Sequence, residues 1–280
     1  MTDLHAAPST SHFVEANGVK LHYLDYGTAG KRPMLCLHGG AAHAHWYDYV
    51  APGLTPNHHV FSMDLRGHGD SAWADPHTYT WQTFSDDVNA LVEALDLRDY
   101  VLIGHSMGGM VSLVHASSHP GRIGALVIVD SIMLMPMDRV ARMRAFGERP
   151  VKGYATREEL VARYRLEGGE KQITAPEVLQ HMAMHSARQD ADGRWQHKAD
   201  RGVYANFTQI AGAPLWEKVK VPALVIRGGA HSPRFTPELL AEIRARAPQV
   251  QMAEVQPSDH HVTLDNPQGF VDAVQNFLRT

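Results

Sequence analysis

Val101-Leu102-Ile103-Gly104-His105-Ser106-Met107-Gly108-Gly109 is the stretch on which the reading of this 280-residue chain turns. A short run of branched apolar residues bounded by glycine reads as a buried strand. Met110–Ala116, which follows, is compatible with a helix. Ser106 therefore falls on a sharp strand-to-helix turn in a Gly-x-Ser-x-Gly setting, where Gly104 and Gly108 leave room for the backbone. A serine hydroxyl is a poor nucleophile unless it is exposed, positioned and deprotonated by a neighbour, and such a turn supplies the exposure.

Further runs of the same kind lie on both sides: Pro33–Leu37, Val60–Asp64, Ala125–Val129 and Ala223–Ile226. Most lack a period of two, as expected of parallel strands covered on both faces. Between them, Thr83–Leu95 places Phe84, Val88, Leu91, Val92 and Leu95 at helical spacing. This alternation predicts one doubly wound α/β domain. Phe13–Glu15 and Lys20–Tyr26 flank Asn17-Gly18, the favoured dipeptide of a tight hairpin, and predict an antiparallel N-terminal edge. The rhythm breaks between about Ile132 and Val219, where no convincing strand is found and Met, Arg, Glu and Ala dominate. The expected organisation is a core of residues 1–131 and 220–280 with a helical lid, 132–219, inserted into it. A helix start is expected at Ala175-Pro176-Glu177, with breaks at Gly168-Gly169 and Ala211–Pro214.

Composition narrows the partners. A formal charge of −4 with no Lys/Arg cluster leaves no footprint for nucleic acid or an anionic membrane, so a small molecule is the expected partner; a homodimer is compatible with the composition. Cys36 is the single cysteine and reads as a core thiol. No leader-like segment and no run of 18 apolar residues is found, which gives the cytoplasm as the expected compartment. Nineteen histidines raise the question of a metal. The pairs His43/His45, His58/His59 and His260/His261 lack the helical HExxH pattern and cysteine partners, so no metal and no cofactor is expected.

With Leu37-His38-Gly39-Gly40, Asp64-Leu65-Arg66-Gly67-His68-Gly69-Asp70-Ser71 and Asp259-His260-His261-Val262-Thr263-Leu264-Asp265-Asn266-Pro267 added, the chain resembles the α/β-hydrolase superfamily from about Phe13 to Leu278. The resemblance implies a mostly parallel, eight-stranded sheet flanked by helices, with an inserted helical lid. It implies Ser106 as nucleophile and an oxyanion hole from the N–H groups of Gly40, or alternatively Ala41, and of Met107. His260 is the implied general base, because the family's His-(x)4-Asp/Glu-x-Pro spacing starts there; His261 is the alternative. His105, next to the nucleophile, reads as structural, and Arg66, Asp70 and Ser71 read as holding a loop together.

The acid is displaced. In many family members it follows the strand before the base, yet Arg227–Thr236 holds no carboxylate and Glu238 comes inside a helix. Asp130 ends the preceding strand and faces the same rim, since parallel strands present their C-terminal ends together, and it is the assigned acid. Trp46, Met133 and Phe146 are the expected substrate-binding residues, with Tyr47, Ile132 and Met135 as further candidates and Arg139, Arg142 and Arg144 as candidates for a carboxylate. The implied activity is hydrolysis of a small carboxylic ester or lactone. The alternatives are amide-type or carbon–carbon hydrolysis on the same triad, or a receptor or cofactor-free oxygenase of the same fold.

Overall fold

Tyr100–His105 (β5), the strand that leads to Ser106, lies in the interior of an eight-stranded sheet. The structure is a computed structural model and describes residues 5–131, 134–169, 173–229 and 235–279. The other strands are β1 (Thr10–Ala16), β2 (Val19–Asp25), β3 (Arg32–Leu37), β4 (His58–Met63), β6 (Ile123–Val129), β9 (Ala223–Gly228) and β10 (Val250–Val255), in the order β1-β2-β4-β3-β5-β6-β9-β10. Pairing from β4 through β3, β5, β6 and β9 to β10 is parallel, with Cys36 opposite Ile103 and Ile103 opposite Val127. The first two strands pair antiparallel through Asn17 and Gly18, both at positive φ (50° and 74°), as a tight right-twisted hairpin requires.

The continuous apolar runs follow from burial on both faces. Leu35, Leu37, Leu102, Leu126, Ile128 and Val225 pack into one core cluster, whereas Met34, Cys36, Val101, Ile103, Val127 and Ile226 pack into the other. Successive side chains point to opposite faces, so a strand covered on both must be apolar at every position. The helix Trp81–Ala94 is capped by Thr80, whose hydroxyl oxygen accepts from the Thr83 N–H at 3.1 Å, and it buries Phe84, Val88, Leu91 and Val92. Arg66 reaches its inner face and clasps the fully buried Asp87 bidentately, with both contacts at 2.5 Å.

Between β6 and β9 the chain leaves the sheet. It forms the helices Met137–Gly147, Arg157–Ala162, Pro176–His185 and Gly202–Ala205, then a 3-10 turn at Ala213–Lys218 where a break was expected. The expectation of a strand-free insertion is corrected here: β7 (Ala187–Gln189) and β8 (Trp195–His197) make a small antiparallel ribbon. Three residues are too few to show a period. The insertion is tied to the sheet by Lys198 to Asp70 (2.7 Å), by the Tyr79 hydroxyl donating to Asp200 (2.6 Å) and by the His43 Nε2–H donating to the Met182 carbonyl (3.0 Å). No helix among the described residues is long and apolar enough to cross a membrane.

Candidate active site

The parallel strands deliver their C-terminal ends to one rim, and the sequence-selected residues collect there. β5 stops at His105, the helix Met107–Ser118 starts at Met107, and Ser106 alone makes the turn with φ 52° and ψ −114°. Such a turn tolerates no side chain at its flanks. A Cβ on Gly104 would stand 2.3 Å from the Gly108 carbonyl oxygen, and one on Gly108 would stand 2.4 Å from that of His38. The turn is fastened by the Ser106 N–H donating to Val129 O (2.9 Å) and by the Ser131 hydroxyl donating to Ser106 O (2.8 Å).

His260 follows β10 and is buried; its Nδ1–H donates to Asp130 Oδ2 at 2.8 Å. That bond fixes the tautomer and leaves the Nε2 lone pair as the basic position. Asp130, itself at φ 43° and fully buried, ends β6 and accepts the Gly228 N–H on its other oxygen at 3.1 Å. Gly228 has to be glycine: a Cβ there would lie 2.0 Å from the carbonyl oxygen of Asp259, the residue that carries the chain into His260. Asp130 stands behind His260 and does not reach the cavity.

That cavity has a volume of about 430 Å³ and is lined by Gly40, Trp46, His105, Ser106, Met107, Met135, Phe146, His260 and His261, among others. Met133 and Ile132, also expected there, lie outside the described residues, as does most of the loop after β9. Tyr47 is a correction: its ring is fully buried away from the cavity and its hydroxyl donates to Leu37 O at 2.9 Å. Of the three arginines, Arg139 and Arg142 line the cavity, whereas Arg144 turns aside to donate to Phe207 O. Arg142 pairs with Asp138 at 2.6 Å. Arg139 is half-buried, and among the described residues its guanidinium has neither ion pair nor hydrogen bond.

Met107 opens its helix, so its N–H belongs to the first turn that lacks an intrahelical acceptor, and it lines the same cavity as Gly40. His38 shapes the opposite turn: its Nδ1–H donates to Gly39 O (2.7 Å) while Nε2 accepts the Leu65 N–H (3.1 Å), an arrangement possible only for the neutral ring. Burial lowers its pKa, in agreement.

Two contributions were not read from the sequence. His105 is more than filler: its Nε2–H donates to the carbonyl of His260 at 2.8 Å, and its ring stacks on Trp46 with centroids 5.6 Å apart. Burial, and then the neighbouring His260 and His261, hold it well below the ordinary imidazole value. Tyr204, on the short helix Gly202–Ala205, brings its hydroxyl oxygen to 2.8 Å from where a Cβ on Gly40 would stand, directly over that turn. Burial raises its pKa, which keeps it a hydroxyl and therefore a donor. His261, the alternative base, is engaged elsewhere, with its Nε2–H donating to Glu167 O at 2.9 Å.

A model of the alpha/beta hydrolase fold matches residues 32–267. The chain belongs to the α/β-hydrolase fold family. It is 28% identical over 273 residues to an esterase of Mycobacterium tuberculosis, covering 92% of this chain and 86% of that protein. It is 27% identical to N-formylmaleamate deformylase of Pseudomonas putida, covering 95% of each. Among solved structures, E-2-(acetamidomethylene)succinate hydrolase superposes with a TM-score of 0.83 at 20% identity, covering 98% of this chain and 100% of that one.

Proposed function

We propose that the protein is a serine hydrolase that opens a small carboxylic ester or lactone through an acyl-enzyme. The observation that supports this reading is the buried Asp130–His260 couple, with His260 lining the same cavity as Ser106 on its strained turn. Ser106 Oγ attacks the acyl carbonyl while His260 Nε2 takes its proton. The carbonyl oxygen, now an oxyanion, meets the N–H groups of Gly40 and Met107, with the Tyr204 hydroxyl above them. His260 then gives the proton to the departing alkoxide, and in the second half-reaction it deprotonates water, which releases the acid and restores Ser106. Asp130 holds the imidazole in its productive tautomer and stabilises the imidazolium. None of these steps calls on a cofactor. The family includes the mycobacterial esterase, which supports an ester as the first substrate class.

A second reading, hydrolysis of an amide that also bears a carboxylate, is favoured by Arg139 in the cavity wall, whose guanidinium has no ion pair among the described residues. A guanidinium without a counter-ion in a mostly apolar pocket is well placed to receive an anionic group of the substrate. The deformylase relative is named for such a nitrogen-bound acyl substrate, N-formylmaleamate.

The test is fluorophosphonate labelling and p-nitrophenyl ester turnover of wild type and Ser106→Ala. Loss of both in Ser106→Ala supports the serine mechanism, whereas turnover that survives it, or oxygen uptake with substrate, refutes it. Arg139→Leu separates the two readings: KM should rise about tenfold or more for substrates with a free carboxylate and stay level for neutral esters. An equal effect on both would discard the anionic substrate.

A further inference from the structure

His45, Asp48, His181 and His185 come from two segments far apart in sequence and meet beside the 3-10 turn Ala44–Tyr47. His45 sits on that turn and Asp48 ends it, while His181 and His185 occupy positions one helical turn apart on Pro176–His185, the inserted helix. One ligand-type atom from each of the four lies within 4.8 Å of all the others. We propose that these four residues form a binding site for one divalent transition-metal ion, zinc by preference, which clips the inserted helix to the sheet domain.

The geometry is close to what such an ion needs. Asp48 Oδ2 already lies 2.9 Å from His45 Nδ1 and 2.7 Å from His181 Nε2. The His45 and His185 rings stack with centroids 3.6 Å apart, and His181 and His185 are at 4.5 Å. Ligand atoms around a tetrahedral zinc with bonds of 2.0–2.1 Å stand about 3.3 Å from one another, so closing the site asks for side-chain shifts on the order of 1 Å. Three imidazoles and one carboxylate make a nitrogen- and oxygen-rich set suited to zinc, and four protein ligands close the sphere, as in a structural site. The carboxylate is aimed from behind: the Tyr26 hydroxyl donates to Asp48 Oδ1 at 2.6 Å, leaving Oδ2 for the cluster, as an outer-sphere partner would. Asp48 is buried while His45 and His181 keep about a fifth of their side chains in solvent (18% and 24%), which gives an ion a way in.

The other grouping of ligand types among the described residues, His22, Asp64 and Asp70, lacks this character. Both Asp64 oxygens are taken by backbone N–H groups, from Ala44 at 2.6 Å and Asp70 at 2.9 Å, so its carboxylate is already satisfied as part of the frame.

The experiment uses tag-free, full-length protein stripped with chelator and then dialysed against trace zinc. Elemental analysis should find one equivalent of zinc retained. Cobalt substitution should give the intense visible bands of a four-coordinate site, and hydrogen exchange across residues 176–185 should slow with metal bound. His45→Ala, His185→Ala and the gentler His185→Gln should each lose the equivalent and the exchange protection, while His12→Ala, outside the cluster, keeps both. Metal-free melting curves establish that the variants are folded. The proposal is overturned if wild type retains no more metal than the His45→Ala/His185→Ala double variant, if cobalt shows only weak octahedral bands, or if bound metal leaves exchange in this helix unchanged.

Discussion

Replacing Asp130 by Asn keeps the shape of the buried acid and removes its charge, and the structure says how the loss divides. Among the described residues, the Asp130 carboxylate accepts from the Gly228 N–H at 3.1 Å and from His260 Nδ1 at 2.8 Å. An asparagine that keeps its oxygen on Gly228 turns its NH2 toward Nδ1, which forces the His260 proton onto Nε2, where it can no longer accept from Ser106. The opposite flip restores the tautomer but sets NH2 against the Gly228 N–H, an unpaired buried donor that costs about 1–3 kcal/mol. The competent form is then held to a tenth or less of the molecules, on the order of tenfold to a hundredfold in rate. The missing carboxylate adds to this, because an imidazolium and a carboxylate about 4 Å apart attract by about 4 kcal/mol at an effective dielectric of 20, nearly a thousandfold. Together kcat should fall by about 10⁴, the size of loss seen when a triad aspartate becomes asparagine in serine proteases. Steady-state turnover of a p-nitrophenyl ester measures it, with a melting curve to show that the variant is folded. A folded Asp130→Asn within about tenfold of wild type would refute the assignment. A collapse in Asp259→Asn with Asp130→Asn spared would move the acid to Asp259, the residue before the base.

Three other changes probe the frame. His105→Phe keeps the ring against Trp46 and deletes the N–H that holds the His260 carbonyl; kcat for ester turnover should fall about 10- to 100-fold with KM little changed, and a pure KM effect would count against a positioning role. Gly108→Ala forces a methyl to within 2.4 Å of His38 O and 2.5 Å of Leu37 O, so the purified variant should lose several degrees of melting temperature and nearly all labelling by fluorophosphonate; unaltered labelling would mean that the turn yields more than its packing implies. Burial alone would push the Asp64 carboxyl up, but the bond from His22 and that from the Asp70 N–H outweigh it and hold the pKa far below 3.8. Its contribution to stability is therefore complete above that value and drains away as pH falls below it toward the folded pKa. Asp64→Asn should cost about 3 kcal/mol near neutral pH and flatten the acid limb of a urea-denaturation series, and an unchanged acid limb would contradict this.

The parts of the fold that were legible are those where one local rule acts alone. Apolar runs located the five expected interior strands to within a residue or two, since a strand covered on both faces has no freedom to be polar. Asn17-Gly18 gave the hairpin because its turn demands two positive φ values. The helix at Pro176 was marked by its first residue. The β7–β8 ribbon was not legible: its strands are three residues each, and what holds them is the insertion's own packing, including the bridge between Tyr154 and Trp195. The candidate site divides the same way. Ser106 and the glycines around it form a contiguous signal, and Asp130 could be reached by asking which carboxylate ends a neighbouring parallel strand. Tyr204 and the guanidinium of Arg139 depend on how the insertion lands on the rim, and the bond from His105 to His260 joins two strand ends far apart in sequence. His181 and His185 show their helical spacing in sequence, but Asp48, 133 residues before His181, gives no hint of where it will meet them.

What local rules miss at the rim is also where the backbone is strained. Of the non-glycine residues at positive φ, Ser106 and Asp130 directly follow β5 and β6, and Ala41 lies in the turn after β3, all on the rim where the parallel strands end. Two of them cannot become glycine without losing the side chain that the chemistry needs, so strain of about 1–3 kcal/mol at each must be offset by the surroundings. The offset is visible bond by bond: Val129 O and the Ser131 hydroxyl hold Ser106, and Ile226 O and the Gly228 N–H hold Asp130. Gly228 and Gly108 then allow the neighbouring backbones to come close enough for those bonds to form. Removing a supporting contact should therefore loosen the aim of Ser106 and His260 before it unfolds the sheet, because the core clusters on either face do not share those bonds. Activity is accordingly the more sensitive readout of this rim, and global stability is the less sensitive one.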